Sequence, residues 1–328
     1  MNKERFAVGI DVGKDELLVA AGEPRVRTFG TTPGEIRRLH RWLCKTAGSG
    51  VIHVGMEATG VYSVKVALAL ISHGGLTISV INPAQIKAHS RALLKRTKTD
   101  AVDAQVIWNF VCKHNPPAWT PPTEAHRRLS ALVAQADAIK GEQQQWCSRQ
   151  HTHRHAPDTP REVTRSTAAI LKTLQQQLDK IDDLIENLCR SDQTLAANIA
   201  LATSIKGIGL CSAVRILAHG GEALTQRTRR QLDAHAGLAP AQKQSGTSVR
   251  GKSHLAKQGN AKLRRALYMP TLVAVHHNPL FQNHYQRLLQ RGKLKKVALA
   301  ACMRKMLNVI RAILINKQTF DPNYQPLT

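Results

Sequence analysis

Acidic residues are scarce in this 328-residue chain, which has 22 Asp+Glu against 47 Lys+Arg and a formal net charge of +25. So large an excess of one sign repels itself unless a polyanion neutralises it. Nucleic acid is therefore the expected partner, although a generic solvated basic surface would have the same composition.

Signals for secretion, membrane insertion and disulfide pairing are also absent. The six cysteines are scattered without a C-x-x-C pair, which argues against a disulfide framework and against a cysteine zinc site. The first residues, MNKERFAVGID, lack the apolar core of a signal peptide, and no uncharged apolar run approaches the ~18 residues that span a bilayer. We therefore expect a soluble, cytoplasmic protein with no membrane partner.

Aromatic residues make up only 4% of the chain. Proteins commonly hold single-stranded nucleic acid by stacking bases on aromatic side chains. Few bases can be held in this way here, so we expect protein side chains to read little of the nucleic-acid sequence.

The positive charge is concentrated towards the end of the chain. Residues 1–120 hold 16 Lys+Arg and 9 Asp+Glu, residues 121–199 hold 10 of each, and residues 200–328 hold 21 and 3. The polyanion is therefore expected to bind chiefly to the last third, which is preceded by a neutral segment.

Residues 1–120 are predicted to form a mixed α/β domain. Three alternating runs can form a meander of strands, and two further strands then alternate with helical segments: FAVGID, ELLVAAGE, VRTFGT, VIHVGMEA and LTISVINP. This is the order of elements in an RNase H-like (Holliday-resolvase-like) domain, in which helices cover a mixed sheet.

Residues 121–195 change to a heptad pattern. Apolar residues with 3-4-3-4 spacing occupy 129–146 and again 171–188, on either side of the proline-containing segment HAPDTP. Two such segments predict an antiparallel helical hairpin, or a coiled-coil arm that pairs with another copy of the chain. A plain pair of packed helices would have the same spacing.

Residues 196–328 are predicted to be mostly helical and to bind DNA. In LATSIKGIGLCSAVRIL, Gly207 and Gly209 separate two helices as in a helix-hairpin-helix, where glycines let backbone N–H groups approach a phosphate. An ordinary turn between helices is the alternative. A segment rich in Gly, Ser, Lys and Arg follows at 237–262, and amphipathic helices then close the chain.

Four acids stand at the ends of predicted elements in the first domain. Asp11 ends the first strand, Glu57 ends the fourth, and Asp100 and Asp103 share one face at the start of a helix. Neighbouring first and fourth strands would bring the four carboxylates together, where they could stay ionised only beside cations. Oxygen ligands favour Mg²⁺ or Mn²⁺, and a pair of such ions can promote phosphoryl transfer.

Each acid also has a simpler explanation. Thr99 can cap the helix whose first turn holds Asp100 and Asp103, and acids there favour the helix dipole. Asp11 in GIDVGK could belong to the phosphate loop of an actin-like ATPase, and Glu57 could cap the helix that follows it.

In combination, these motifs resemble the Asp-Glu-Asp-Asp (DEDD) transposases of the insertion sequence one-hundred-and-ten family, which includes the Piv-type DNA invertases. The matching stretches run from residue 7 to about residue 315 and include GIDVGKDEL, MEATGVY, SVINPAQIKAHS, RTKTDAVDAQ, SIKGIG, AGLAP and QSGTSVRGKSHLAKQGNAKLRRALYMP. The resemblance implies an RNase H-like domain, a coiled-coil insert and a C-terminal transposase domain. It also implies a structured non-coding guide RNA that pairs with donor and target DNA.

The same resemblance assigns roles to individual residues. It implies metal binding by Asp11, Glu57, Asp100 and Asp103, and a nucleophilic serine at Ser245 in QSGTSVRG. Metal ions at the acids could activate the hydroxyl, whose attack on a phosphate would leave a phosphoserine-linked strand end.

The basic residues around these motifs are expected to hold nucleic-acid phosphates. They are Lys95, Arg96 and Lys98 before the acids, and Arg250, Lys252, Lys257, Arg264 and Arg265 after the serine. From the residues alone, Ser248 and Ser253 are equal rivals of Ser245 for the nucleophile.

Several alternatives stay open at this stage. A metal-dependent junction-resolving nuclease would use the acids without a serine, and a non-enzymatic nucleic-acid-binding protein would need neither. Paired recombination requires at least two active sites, so a dimer or tetramer is expected.

A cluster at Cys147, His151, His153 and His155 lies outside the family pattern; we expect an exposed loop there, with zinc binding as the alternative.

Overall fold

The structure is a computed structural model that describes residues 5–22, 26–94, 99–241, 244–245, 249–250, 254–256 and 258–321. The chain divides into two compact units, Met1–Pro121 and Pro122–Thr328. The predicted division of the second unit into a hairpin domain and a serine domain stays a prediction.

The first unit contains a five-stranded mixed sheet. Its strands are β1 (Arg5–Val12), β2 (Glu16–Ala20), β3 (Val26–Gly30), β4 (Val51–Glu57) and β5 (Leu76–Ile81), in the order β3-β2-β1-β4-β5. The first three strands pair antiparallel, and β4 is parallel to both β1 and β5. The predicted mixed sheet is therefore confirmed, and its order is compatible with an RNase H-like domain.

Helices lie on both faces of this sheet. They are α1 (Pro33–Ala47), α2 (Val61–Ser72), α3 (Pro83–Ala92) and α4 (Asp100–His114). Alternate residues of β1 point to opposite faces, so Val8 and Ile10 pack with the buried residues of α1 and α2, whereas Ala7 packs with those of α4. Strand β1 is thus buried on both faces, which explains its nearly continuous apolar sequence.

The second unit begins with two long helices, α5 (Glu124–His155) and α6 (Arg161–Ser191), which pack antiparallel. The side-chain amide of Gln143 donates to that of Gln175 at 3.0 Å, and Ile139 packs with Leu178 in a buried cluster. The antiparallel helical hairpin is confirmed. Its pairing with another copy as a coiled-coil arm stays a prediction.

Shorter elements complete the second unit. The helices are α7 (Gln193–Thr203), α8 (Leu210–Gly220), α9 (Ala223–Gln226), α10 (Arg229–His235), α11 (Ala261–His277), α12 (Pro279–Gln290) and α13 (Lys295–Asn316). Between α10 and α11 lie four two-residue strands, β6 (Pro240–Ala241), β7 (Gln244–Ser245), β8 (Val249–Arg250) and β9 (His254–Leu255). The helices share one apolar core, in which the buried Asp233 of α10 accepts hydrogen bonds from Arg304 and Asn308 of α13.

None of the helices in the described ranges combines the length and the apolar character that a bilayer crossing requires.

Candidate active site

Two glycines allow α4 to lie directly on the sheet. Gly9 of β1 and Gly55 of β4 are partners in the parallel register. A Cβ atom on Gly9 would stand 2.2 Å from the backbone nitrogen of Trp108, and one on Gly55 would stand 2.3 Å from a methyl group of Val111. The helix can approach this closely only because both strands lack a side chain there.

Asp11 and Glu57 share the face of the sheet that α4 covers. Each acid follows the glycine of its own strand by two residues, and side chains two apart in a strand point to the same face. The covering helix α4 carries the other two acids, Asp100 and Asp103, in its first turn. The structure therefore brings all four predicted acids to the carboxyl ends of β1 and β4.

The pKa of Asp11 reflects its interaction with the other three acids. Burial is the largest cause, followed by the negative charges of Asp103, Asp100 and Glu57 in that order; together they raise the pKa of Asp11 from 3.8 to about 6. A hydrogen bond with the Val12 backbone opposes the shift. A half-buried carboxyl group with three like-charged neighbours is the electrostatic environment that a bound cation would relieve.

The four carboxylates influence one another but do not form a complete metal-coordination site in this structure. Within the described ranges, no three His, Cys, Asp or Glu side chains come close enough together to hold a metal ion. The donor set nevertheless fits a hard divalent cation, because it offers only carboxylate oxygens as ligands. Small side-chain movements on binding would be needed to complete the coordination.

The start of α4 also shows the simpler role that the sequence allowed. The Thr99 hydroxyl accepts a hydrogen bond from the Val102 backbone N–H at 3.3 Å, so Thr99 is the N-cap of the helix. Capping explains Thr99 but not the coupling of Asp100 and Asp103 to Asp11. The cations Lys95, Arg96 and Lys98 lie outside the described residues.

Ser245 lies on a short β-hairpin in the second unit. It pairs with Val249, and Gln244 pairs with Arg250. Strands β6 and β9 pair separately, with Ala241 opposite His254. The structure describes only the backbone at Ser245 and Arg250. The rival serines and two predicted phosphate ligands lie outside the described residues: Ser248, Ser253, Lys252 and Lys257.

The segment that leaves this hairpin is anchored to α8 and α10. Gly259 has a φ of +130°, and a Cβ atom there would stand 2.4 Å from the carbonyl oxygen of His235. Asn260 donates its side-chain N–H to the His219 carbonyl at 2.8 Å and also caps α11 by accepting from Leu263. Sequence analysis missed this anchor, although an Asn directly before an amphipathic helix is a recognisable capping signal.

The two arginines that follow differ in environment. Arg264 is half-buried and donates to the Ala236 carbonyl at 3.0 Å, which gives it a structural contact. Arg265 is exposed. Of the two predicted phosphate ligands, Arg265 therefore has the more accessible side chain.

The two glycines of the predicted helix-hairpin-helix also differ. Gly207 has a φ of +116°, and a Cβ atom there would stand 2.8 Å from the Cβ of Ala274 in α11, so packing alone requires a glycine. Gly209 is exposed, has open space around its Cα and forms the N-cap of α8. Phosphate binding at Gly207 and Gly209 stays a prediction.

The histidine-rich cluster is not in a loop. Cys147, His151, His153 and His155 all belong to α5, so the expected exposed loop is wrong. The helix continues because the pairing of α5 with α6 extends to this end, where Thr167 of α6 is hydrogen-bonded to His153. No metal-holding group is found here either, within the described ranges.

Two family models match parts of this chain. A family model described as Transposase, the DEDD transposase domain of IS110, matches residues 8–153. A second model, described as Transposase IS116/IS110/IS902 family, matches residues 199–286. The first match contains the four acids and most of α5, and the second extends from the end of α7 into α12 and contains Ser245.

Several curated proteins are similar to this chain. The pilin gene-inverting protein of Moraxella bovis is 30% identical over 319 residues, which cover 96% of this chain and 97% of the relative. The transposase for insertion sequence element IS1328 of Yersinia enterocolitica is 26% identical over 94% of this chain and 93% of its own length. A 43.6 kDa protein of insertion element IS110 from Streptomyces coelicolor is 34% identical over 34% of this chain and 27% of its own.

A mixed sheet that is matched by a DEDD transposase family model and is followed by a basic helical region defines a transposase of the DEDD class. The chain belongs to the IS116/IS110/IS902 transposase family. Members of this family catalyse DNA cleavage and rejoining, so the protein is an enzyme that binds DNA. The non-enzymatic and actin-like alternatives are therefore wrong, and the DEDD domain suggests use of a divalent metal.

Proposed function

We propose that the protein is a site-specific recombinase that cuts and rejoins donor and target DNA, with a divalent cation held by four carboxylates and Ser245 as the nucleophile. The observation that carries the proposal is the raised pKa of Asp11, which three other carboxylates from separate elements influence. Site specificity is supported by similarity over nearly the whole chain to a protein named for inverting a pilin gene.

Asp11, Glu57, Asp100 and Asp103 would hold Mg²⁺, or Mn²⁺ in its place. When bound, such a cation supplies Lewis-acid stabilisation to the oxygens of a phosphoryl group. The protein's own contribution is to place two carboxylates on strand ends and two on the first turn of a rigidly packed helix. A cation bound among the four carboxylates would reduce their mutual repulsion before an anionic phosphate arrives.

Ser245 would carry out the covalent step. Its hydroxyl oxygen attacks the scissile phosphorus and loses its proton, and the bond between phosphorus and the leaving deoxyribose oxygen breaks. The leaving strand takes up a proton and departs with a free hydroxyl group. The phosphoserine linkage retains the energy of the broken bond, so a second strand end can attack it and restore the serine.

Basic residues would hold the DNA during these steps. Lys95, Arg96 and Lys98 lie close in sequence to the acids, and Arg250, Lys252, Lys257 and Arg265 lie close to the serine. Residues 200–328 hold 21 Lys+Arg against 3 Asp+Glu, so this region attracts phosphates without reading bases. Two active sites are needed for paired exchange, and we propose that the enzyme acts as a homodimer or tetramer.

We propose that a structured non-coding RNA guides the enzyme to donor and target DNA. The low aromatic content supports this, because few bases can be read by stacking on the protein. We expect the purified active complex to contain RNA transcribed from the DNA flanking its gene, and ribonuclease treatment to abolish recombination. Sequencing of the bound RNA is the measurement; full activity of RNA-free protein on its natural DNA ends would contradict the proposal.

Metal binding should strengthen as the pH rises through about 6. Asp11 is protonated below its pKa of about 6, so a cation must displace a proton there, whereas above it the carboxylate is ready to bind. Isothermal titration with Mg²⁺ at about pH 5 and about pH 7.5 should show the tighter binding at the higher pH, with proton release near pH 6. The exposed Asp182 of the hairpin provides the control, since Asp182→Asn should leave the profile unchanged. An affinity independent of pH over this range would contradict the proposed site.

A metal-dependent junction-resolving nuclease is the second candidate. The same four acids would serve it, and it would need no covalent serine intermediate. Trapping of the covalent adduct, described in the Discussion, separates the two activities.

A further inference from the structure

An exposed aromatic and a cation lie side by side at the start of α2. Tyr62 is 42% exposed and its neighbour Val61 is 77% exposed, in a helix whose opposite side is buried against the sheet. Lys65 is exposed and lies one turn after both, so the three side chains form one surface. We call Val61, Tyr62 and Lys65 the α2 patch.

The α2 patch follows Glu57 closely in the chain, although α2 itself packs on the sheet face opposite to α4. Strand β4 ends at Glu57, where the Thr59 N–H donates to the Glu57 carbonyl at 2.9 Å and closes a tight turn. Ser63 is buried and donates to the Gly60 carbonyl, which fixes the first turn of α2. Tyr62 follows Glu57 by five positions in the chain, so their Cα atoms can be at most about 18 Å apart even if the segment is extended. The turn at Thr59 shortens this distance further.

Exposed aromatic side chains are scarce in this protein. In the part of the chain that the structure describes, Tyr62 and Tyr268 are the aromatic residues among the large exposed apolar side chains. Packing does not explain Tyr62, because the buried residues of α2 are Ser63, Val66, Ala67 and Leu70 on its other side. A partly exposed aromatic ring only a few residues after a predicted metal-binding acid has the chemistry to bind a nucleobase.

We propose that Tyr62 stacks on an unpaired nucleobase of the DNA strand being cut, next to the scissile phosphate, and that Lys65 contacts a phosphate of the same strand. The proposal rests on the proposed function, because it requires the scissile phosphate to lie at the acids. Unpaired DNA is the occupant that the chemistry favours, since every base has a face for an aromatic ring and every nucleotide has a phosphate for a lysine. The patch spans a single helical turn, which suits one nucleotide better than a protein surface.

A binding experiment tests the α2 patch without depending on cleavage. The probe is a single-stranded oligothymidylate about 15 nucleotides long with one central 2-aminopurine, whose fluorescence falls when it stacks on an aromatic ring. The full-length protein and Tyr62→Phe should quench it to the same extent. Tyr62→Ala should lose the quenching and bind roughly 10- to 100-fold more weakly, as expected for one lost stacking contact.

Two further variants make the result specific. Tyr268→Ala removes a similarly exposed tyrosine, 46% exposed, from α11 of the other unit, and any loss of quenching should be much smaller than in Tyr62→Ala. Lys65→Ala should retain quenching but reduce the salt dependence of binding by about one phosphate contact. Equal losses in Tyr62→Ala and Tyr268→Ala, or full quenching by Tyr62→Ala, would overturn the proposal. Loss of self-association in Tyr62→Ala with quenching retained would assign the patch to a second copy instead.

Cleavage assays keep this proposal separate from the function on which it rests. If Asp11→Asn abolishes cleavage while Tyr62→Ala cuts and binds like the unaltered protein, stacking by Tyr62 is wrong and the acid site stands. If Asp11→Asn cuts DNA normally, the proposed function fails, whatever Tyr62 binds.

Discussion

The Asp11→Asn variant is expected to lose DNA cleavage by about 10³-fold or more while it stays folded. Asparagine has nearly the same shape as aspartate but cannot supply the charge that a divalent cation needs. The variant should also lose the stabilisation that Mg²⁺ gives to the unaltered protein. Cleavage of labelled DNA ends and thermal unfolding with and without Mg²⁺ are the two measurements.

Without metal, Asp11→Asn should be more stable than the unaltered protein, in contrast to its loss of stabilisation by Mg²⁺. The folded pKa of Asp11 is about 6 against 3.8 for a free carboxyl group, so its contribution to stability is lost as the pH rises through that window. Above it, an ionised Asp11 opposes folding, and the neutral asparagine removes this penalty. Asp11→Asn should therefore raise the melting temperature at about pH 8. A lower melting temperature together with normal cleavage would exclude the carboxylate site.

A matched control shows whether the effect belongs to the site. Asp182→Asn makes the same chemical change at an exposed carboxylate of α6, whose Lys140 partner is 3.8 Å away. Exposed ion pairs of this kind contribute about 0–1 kcal/mol. This variant should therefore cleave DNA and respond to Mg²⁺ as the unaltered protein does.

The Ser245→Ala variant is expected to form no covalent protein–DNA adduct. Without the hydroxyl there is no oxygen to displace the leaving strand, and loss of the nucleophile costs orders of magnitude in rate. The measurement is denaturing electrophoresis of labelled DNA, in which a phosphoserine adduct migrates with the protein. Binding of intact DNA should persist, because phosphate contacts rather than the hydroxyl provide the affinity.

Neighbouring serines are the natural controls for this test. Ser248→Ala and Ser253→Ala remove the same atom close by in the chain and should still form the adduct. Adducts that persist in Ser245→Ala but vanish in one of the others would move the nucleophile to that residue. Cleavage that continues in all three variants with no adduct would identify a junction-resolving nuclease instead.

Local patterns predicted the elements of the first unit well. Alternation in FAVGID and the apolar run VIHVGMEA indicated two strands. The structure extends the first by one residue at each end and ends the second one residue earlier. Heptad spacing indicated the hairpin of α5 and α6. These signals depend on neighbours in sequence, since one buried face of a strand or helix repeats every two or every three to four residues.

Features that depend on contacts between distant segments of the chain had weak signals in the sequence or none. The two-residue strands β6 to β9 lack room for any alternation, so only their pairing in the folded chain defines them. The cluster from Cys147 to His155 looked like a loop because it is polar, yet pairing with α6 keeps it helical. Phosphate binding at Gly207 stays a prediction, whereas the close approach of α11, which also requires a glycine there, had no signal in the sequence.

The sequence by itself determined the excess of positive charge, the mixed sheet, the hairpin and the identity of the four acids, because composition and short-range periodicity encode them. Only the tertiary structure decided that these acids act on one another. The paired glycines Gly9 and Gly55 allow α4 to lie on β1 and β4, and that contact brings the charge of Asp103 close enough to raise the pKa of Asp11. Coulombic interaction depends on distance in space, which for residues far apart in the chain is fixed by packing.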